Sequence, residues 1–404
     1  MSLPKQANEY SDIANIRITN TVHQADRKSS TSMAAATADT TAPAYDRMKA
    51  VKEFDESKSG VKGLSDSGIT SIPDIFVHPP DTFSELKPSS NAATLSIPVI
   101  DLSDLNSTDR RPMIVAQIKE AARTWGFFQL INHGVPVSTI DETLDAIKAF
   151  HEQPQEAKSK YYRRDENRGV MYSSNNDLYR SKAATWHDAL QVWMGPDPPE
   201  VEEIPEVCRG EVVAWDRHAT EVAENVMELL GEGLGLERGR FKELTFSEKR
   251  LFVGICYPPC PEPERTVGLT PHSDTSFLTV LVQNQVKGLR VKHGGEWVEV
   301  SPVRGGLIVN VGDFLQIVSN GEYQSVEHCV AANAAEEPRI SIVMFFNLVK
   351  WRSGSSNYYG PLPELLSTER PAIYRDFTEQ EFFHNLFSKG FDSKSLIAKI
   401  KIPN

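Results

Sequence analysis

Cysteine is scarce in this chain: Cys208, Cys256, Cys260 and Cys329 are the only four among 404 residues. They lack the paired CxxC spacing of a zinc site and are too few for a disulfide framework. They read as buried or incidental thiols in a reducing compartment. Positive charge is also short, with 43 Lys and Arg against 55 Asp and Glu and a formal net charge of −12. An acidic chain has no electrostatic grip on a phosphate backbone, which argues against nucleic acid as a partner. Long apolar runs are missing. None approaches the roughly 20 residues that span a bilayer, so no membrane span is expected. One of the longest, Ile342 to Phe346, reads as a buried strand. No apolar stretch follows the first charges, so the start does not read as a secretory leader. No solenoid or propeller repeat is visible. What remains is ordinary for a soluble globular protein, 40% hydrophobic and 24% charged, and a cytoplasmic location is expected.

Residues 1–45 are rich in Ser, Thr and Ala, with a low-complexity run from Ser29 to Thr41. Such a composition buries too little apolar surface to fold alone and predicts a disordered tail. A plastid transit peptide is the weaker reading of the same tail, because Glu9, Asp12, Asp26 and Asp39 argue against it. Met33 offers an alternative start. Three further regions are expected: a helical and β region over 46–245, a β core over 246–350 and a C-terminal helical segment over 351–404.

Within them, Tyr45 to Phe54 reads as a short helix, and Ile72-Pro73 and His78-Pro79-Pro80 mark an extended connection. Ile97 to Leu102 reads as a strand. Ile114, Ile118, Ala121 and Trp125 recur at helical spacing and predict a helix from about Pro112 to Trp125. Phe127 to Ile131 returns as a strand. A second helix opens at Ser138 as N-cap, with Ile140, Leu144, Ile147 and Phe150 on one face, and a third lies near Asp216 to Leu230.

After Lys249 short β-type runs follow one another: Leu251–Tyr257, Phe277–Val282, Leu289–Lys292, Trp297–Val300, Leu307–Val311, Phe314–Val318, Val326–Val330 and Arg339–Phe346. Many short strands without intervening helices argue for a sandwich or barrel. Thr378 and Glu381 form a capping-box pattern ahead of Phe382, Leu386 and Phe387.

Inside the β region stands His272-Ser273-Asp274. In a strand, residues two apart share a face, so both side chains can reach one metal. A lone HxD triplet is weak, but a later run supplies a further imidazole in Ser325-Val326-Glu327-His328. Two imidazoles and a carboxylate on one face of an octahedron leave three positions open, the arrangement of non-haem iron(II) oxygenases. Eleven residues beyond His328 comes Arg339-Ile340-Ser341. A buried guanidinium needs an anionic partner, and its fork pairs bidentately with a carboxylate. On charge alone, a ligand carboxylate and a protein ion pair with Glu336 or Glu337 are equally good readings; the position behind the metal favours the ligand. Tyr257 can add a third hydrogen bond, although alone it reads as a core tyrosine.

These residues resemble a known family, the plant 2-oxoglutarate- and iron(II)-dependent dioxygenases of specialised metabolism. The resemblance runs from about Tyr45 to the C-terminus. It rests on Ile97-Pro98-Val99-Ile100-Asp101, on Trp125-Gly126-Phe127-Phe128-Gln129-Leu130-Ile131-Asn132-His133-Gly134, and on Tyr257-Pro258-Pro259-Cys260-Pro261. It continues through the His272 and Asp274 pair, Asn310-Val311-Gly312-Asp313, Ser325 to His328, and Arg339-Ile340-Ser341. The segment Tyr45 to Gly68, with Lys58-Ser59-Gly60-Val61-Lys62-Gly63-Leu64, is similar to the branch of 1-aminocyclopropane-1-carboxylate oxidase homologues, whose members are generally not ethylene-forming.

The resemblance implies a mainly β fold with flanking helices, a double-stranded β-helix core of the jelly-roll type. It implies Fe(II) held by His272, Asp274 and His328, and 2-oxoglutarate and O2 at the open positions. Arg339, Ser341 and Tyr257 would hold the distal carboxylate of 2-oxoglutarate, and Phe345 would line the substrate pocket. The implied reaction oxidises a C–H bond of a small specialised metabolite while 2-oxoglutarate becomes succinate and CO2, with ascorbate as an activator and the chain acting as a monomer. Two other readings carry different consequences. One is true 1-aminocyclopropane-1-carboxylate oxidase chemistry, ascorbate-dependent and ethylene-forming; the other is a non-catalytic jelly-roll binding protein.

Three departures from the family pattern stand out. Ile255 replaces a usual Asn or His and His187 a usual Arg, changes that bear on substrate handling or lower activity, and His187 reads equally as a tolerated surface substitution. The loop from Cys329 to Pro338 is one residue longer than common. Other residues read as bland: His133 as a local hydrogen-bond partner, and Asn310 and Asp313 as turn formers around Gly312. His23, His78, His151, His218, His293 and His384 lack ligand-type spacing, and Gly231, Gly233 and Gly235 follow no strand.

Overall fold

The computed structural model describes residues 45–86, 95–164, 169–347, 358–378, 381 and 394–403. The described residues from Asp46 onward belong to one compact unit. The helices are α1 (Arg47–Ser57), α2 (Gly60–Asp66), α3 (Pro80–Leu86), α4 (Arg110–Thr124), α5 (Val137–Glu152), α6 (Gln155–Ser159), α7 (Arg209–Gly233), α8 (Arg240–Glu243), α9 (Asp313–Val318) and α10 (Lys394–Ile400).

Fourteen strands accompany them: β1 (Val99–Asp101), β2 (Phe127–Ile131), β3 (Val170–Ser174), β4 (Asp188–Gly195), β5 (Lys249–Tyr257), β6 (Val267–His272), β7 (Leu278–Gln283), β8 (Leu289–His293), β9 (Glu296–Glu299), β10 (Leu307–Val311), β11 (His328–Ala331), β12 (Arg339–Asn347), β13 (Tyr358–Tyr359) and β14 (Phe377–Thr378). Eight build a large sheet in the order β1-β2-β10-β7-β12-β5-β4-β3, and four build a smaller one in the order β6-β11-β8-β9. All neighbours in both are antiparallel except β1 and β2. This is the expected mainly β architecture with helices, arranged as two open sheets and not a closed barrel.

One apolar cluster lies between the sheets. It joins Leu289, Val291 and Val330 of the small sheet to Phe127, Val253, Ile255, Ile308 and Val343 of the large one. The other face of the large sheet carries Phe252, Val280, Ile342 and Met344, which pack with Ile118 of α4, Ile147 of α5 and Val226 of α7. Both faces of the large sheet are therefore covered, and strands such as β3 and β10 are buried along their whole length. Gly126, which ends α4 and enters β2, has φ +63°, and a Cβ there would meet the Gln324 carbonyl at 2.2 Å. That close approach is why Trp125-Gly126-Phe127 needs glycine.

Several elements differ from the sequence expectation. Phe314–Val318 is helix α9 and not a strand: it starts at Asp313 right after Gly312, and all its residues but Gln316 are buried. A short run buried all round shows neither a helical nor a strand period. Helix α1 starts two residues and ends three residues later than Tyr45–Phe54, and α7 is longer than Asp216–Leu230. Ser138 is not a cap, since α5 already begins at Val137 without a side-chain cap bond. Helix α2 and strands β3 and β4 were not expected. The helix read from Phe382 to Phe387 lies outside the described residues, although the Thr378 hydroxyl does accept from the Glu381 N–H at 3.1 Å. All four cysteines are free and buried, and burial pushes each thiol up, Cys329 to about 12. No helix among the described residues is long and apolar enough to cross a membrane.

Candidate active site

His272 ends β6 and His328 begins β11, and the two are register partners across that strand pair. Their ring centroids stand 4.2 Å apart. Asp274 lies two residues beyond the end of β6, so strand alternation is not what brings it to His272. It is placed instead by the large sheet. Thr279 Oγ1 on β7 donates to Asp274 Oδ2 at 2.6 Å, and Asn310 Nδ2 on β10 donates to the same oxygen at 2.7 Å. The Asp313 N–H fixes the Asp274 carbonyl at 2.7 Å. Asn310 is thus a strand residue orienting a carboxylate and not a turn former. With Oδ2 occupied, Oδ1 faces His272 Nε2 at 3.6 Å and His328 Nε2 at 3.5 Å. One donor atom from each of the three residues lies within 4.8 Å of the others.

The protonation states suit a cation. His272 Nδ1 stands 2.9 Å from the Thr270 carbonyl and His328 Nδ1 3.4 Å from that of Val326. A carbonyl only accepts, so Nδ1 carries the proton of each ring and the Nε2 lone pair turns toward Asp274. Burial and the neighbouring His272 push His328 down to about 4, against the pull of Asp274. Burial pushes the Asp274 carboxyl up, but His328, His272, Thr279 and Asn310 outweigh it and hold it below the usual carboxylate value. Neutral imidazoles and an ionised carboxylate are the forms that bind metal, and this donor set fits non-haem Fe(II).

Arg339 opens β12 opposite Tyr257, the last residue of β5. It is 1% exposed. Nη2 donates to Gln283 Oε1 at 2.5 Å, Nη1 to Ser341 Oγ at 3.4 Å, and the guanidinium lies 4.9 Å from the Tyr257 ring centre. Nε is buried without a partner, as is Gln283 Nε2. No carboxylate pairs with Arg339 among the described residues, and Glu336 and Glu337 are exposed. A buried guanidinium with unmet donors is costly unless an anion completes it, which an incoming carboxylate would do. Gln283 was missed in the sequence; a polar residue closing the apolar run Phe277–Val282 was the available signal.

A cavity of about 280 Å³ opens beside His272 and Asp274. Its walls include Trp193 of β4, Leu251, Val253 and Ile255 of β5, Phe345 of β12 and His187. His328, Arg339, Ser341 and Tyr257 are not among its walls. His187 is buried, so it is not a surface substitution, and burial pushes it below the usual imidazole value. Ile255 contributes an apolar surface. Strand β4 turns Ala189, Gln191 and Trp193 to the cavity and Leu190, Val192 and Met194 to the helical side.

Comparison with known proteins follows the same lines. Residues 247–348 match the 2OG-Fe(II) oxygenase superfamily, and residues 97–208 match the N-terminal region described as non-haem dioxygenase in morphine synthesis. The chain is 45% identical to 1-aminocyclopropane-1-carboxylate oxidase homologue 1 of Arabidopsis thaliana over 89% of this chain and 98% of that protein. It is 42% identical to a probable 2-oxoacid dependent dioxygenase of the same plant over 87% and 98%. Among solved structures, JOX2 in complex with 2OG, Fe and JA is similar, at 30% identity with a TM-score of 0.73 over 85% of this chain and 98% of that one. The dioxygenase for auxin oxidation from rice is also similar, with 26% identity and a TM-score of 0.64 over 76% and 100%.

Proposed function

This chain belongs to the 2OG-Fe(II) oxygenase superfamily, and on that premise we propose that it oxidises a C–H bond of a small, mainly apolar specialised metabolite, most simply by hydroxylation. Bound Fe(II) and 2-oxoglutarate supply the oxidising chemistry, with 2-oxoglutarate leaving as succinate and CO2. His272, Asp274 and His328 would hold the metal. Thr279 and Asn310 keep Asp274 Oδ1 turned to it. Arg339, with Ser341 and Tyr257 beside it, holds the distal carboxylate of 2-oxoglutarate. The apolar walls, Phe345 among them, exclude water and orient the substrate bond toward the metal. The observation that carries the reading is the pairing of a His-Asp-His cluster with a buried Arg339 that has no carboxylate partner among the described residues. JA in the JOX2 structure and auxin oxidation by the rice enzyme support a small-molecule substrate here.

The test is anaerobic titration of the protein with Fe(II) and 2-oxoglutarate, followed by air. A visible charge-transfer band and then 2-oxoglutarate-dependent succinate are expected. His272→Ala and Asp274→Ala should lose the band and the succinate; full activity in either would refute the metal assignment. Ethylene from 1-aminocyclopropane-1-carboxylate with ascorbate and no 2-oxoglutarate would replace this reading by its rival.

A further inference from the structure

Besides His272, the cavity wall holds a second imidazole, His187, whose tautomer the hydrogen bonds dictate. Asn175 Oδ1 accepts from the Thr185 N–H at 2.6 Å and its Nδ2 donates to the Thr185 carbonyl at 2.8 Å, which fixes the amide orientation. The same Oδ1 also accepts from the Thr185 hydroxyl. With its hydrogen committed there, Thr185 Oγ1 can only accept from His187. His187 Nδ1 lies 3.0 Å from that oxygen and 2.7 Å from the Gly268 carbonyl. Both neighbours are acceptors, so Nδ1 carries the ring proton and Nε2 is left with a lone pair. Nε2 has no protein partner among the described residues, and the ring forms part of the cavity wall. The same cavity is lined by the apolar Ala189, Val253 and Ile255 and by the polar Asn176, Asp177 and Thr270, while the Gln191 amide is tied to Asn176 at 2.7 Å.

We propose that His187 is a specificity-determining residue that accepts a hydrogen bond from the substrate, so the substrate presents an O–H or N–H to this wall. A carboxylate or an ether oxygen would set lone pair against lone pair and leave Nε2 unmatched. The inference rests on the cavity being the substrate site proposed above. It is independent of which C–H bond is oxidised.

Three probes of one shape separate the alternatives: 2-naphthol, 2-methoxynaphthalene and 2-naphthoate. Their binding to the full chain is measured by calorimetry, anaerobically, with and without Fe(II) and 2-oxoglutarate. The naphthol is expected to bind about tenfold tighter than the ether, the worth of one hydrogen bond of ~1.4 kcal/mol, with the naphthoate weakest. His187→Phe should abolish the preference for naphthol over ether. Equal binding of naphthol and ether, preference for the naphthoate, a preference that survives His187→Phe, or no binding by any probe overturns the proposal. Nitrogen-15 spectra of histidine-labelled protein, with His187 identified by its loss in His187→Phe, should show a protonated Nδ1 and an unprotonated Nε2. The opposite tautomer overturns it whatever the probes do. A chain that shows the naphthol preference yet releases no succinate supports this inference and sinks the catalytic reading alone.

Discussion

At the scale of single residues, the site divides into side chains that announce themselves and side chains that do not. His272, Asp274, His328 and Arg339 are legible because their types and spacing suggest a metal and an anion without any fold. Thr279, Asn310 and Gln283 are not, because their roles exist only once β7 and β10 run beside the end of β6. His187 was visible as a departure, but only its burial shows that it faces the cavity. Arg339→Lys replaces a planar fork by a point charge. It should weaken 2-oxoglutarate by tenfold or more while Fe(II) affinity stays within about twofold, read from separate titrations, in line with ~1.5–3 kcal/mol for a charged hydrogen bond. Away from the site, His151 is buried on α5, with its ring 3.0 Å from the Gly254 carbonyl, and burial pushes it down to about 4. The unfolded chain therefore binds this proton more readily. The native advantage is complete above about pH 6.5 and is lost as pH falls toward 4. Denaturation from pH 7 to 4 should show a steep loss of stability, and His151→Gln should flatten it by up to about 1.4 kcal/mol per pH unit.

At the scale of elements, the central strands and long helices were readable because their apolar periodicity is strong. The errors fall where burial erases the pattern. Helix α9 is buried almost all round, every residue of β3 is buried, and β4 is covered by the cavity side and the helices. Helix α2 was hidden for another reason: it is anchored from a distance. The N–H groups of Val61 and Lys62 each donate at 2.8 Å to the carboxylate of buried Asp188, the first residue of β4, which also accepts from Ser174 and Tyr172. This gives the Lys58–Leu64 segment a physical purpose, since it pins the strand that supplies Ala189, Gln191 and Trp193 to the cavity. Gly60 has φ +69°, and a Cβ there would meet Asp188 Oδ2 at 2.6 Å. Gly60→Ala should cost roughly 1–3 kcal/mol in urea denaturation, and Gly68→Ala, where a Cβ meets nothing within 4 Å, should cost less.

At the scale of the whole molecule, an all-round mixture of helices with a β-rich core could be read from the chain, but the strand order could not. Strand β10 sits between β2 and β7, and β12 between β7 and β5, pairings between segments far apart in sequence that no local pattern encodes. That order creates the division of labour at the site: two imidazoles ride on the small sheet, while the carboxylate between them is tethered by Thr279 and Asn310 of the large one. An ion seated there would act as a rivet between two plates. Chelation should then loosen the small plate first. Amide exchange at β6 and β11 should quicken several-fold on metal removal while β5 and β12 hardly change, and Asn310→Ala should mimic part of that loosening with every ligand still in place. Tightness of the rivet could thus be tuned from the far plate, by residues that never touch the ion.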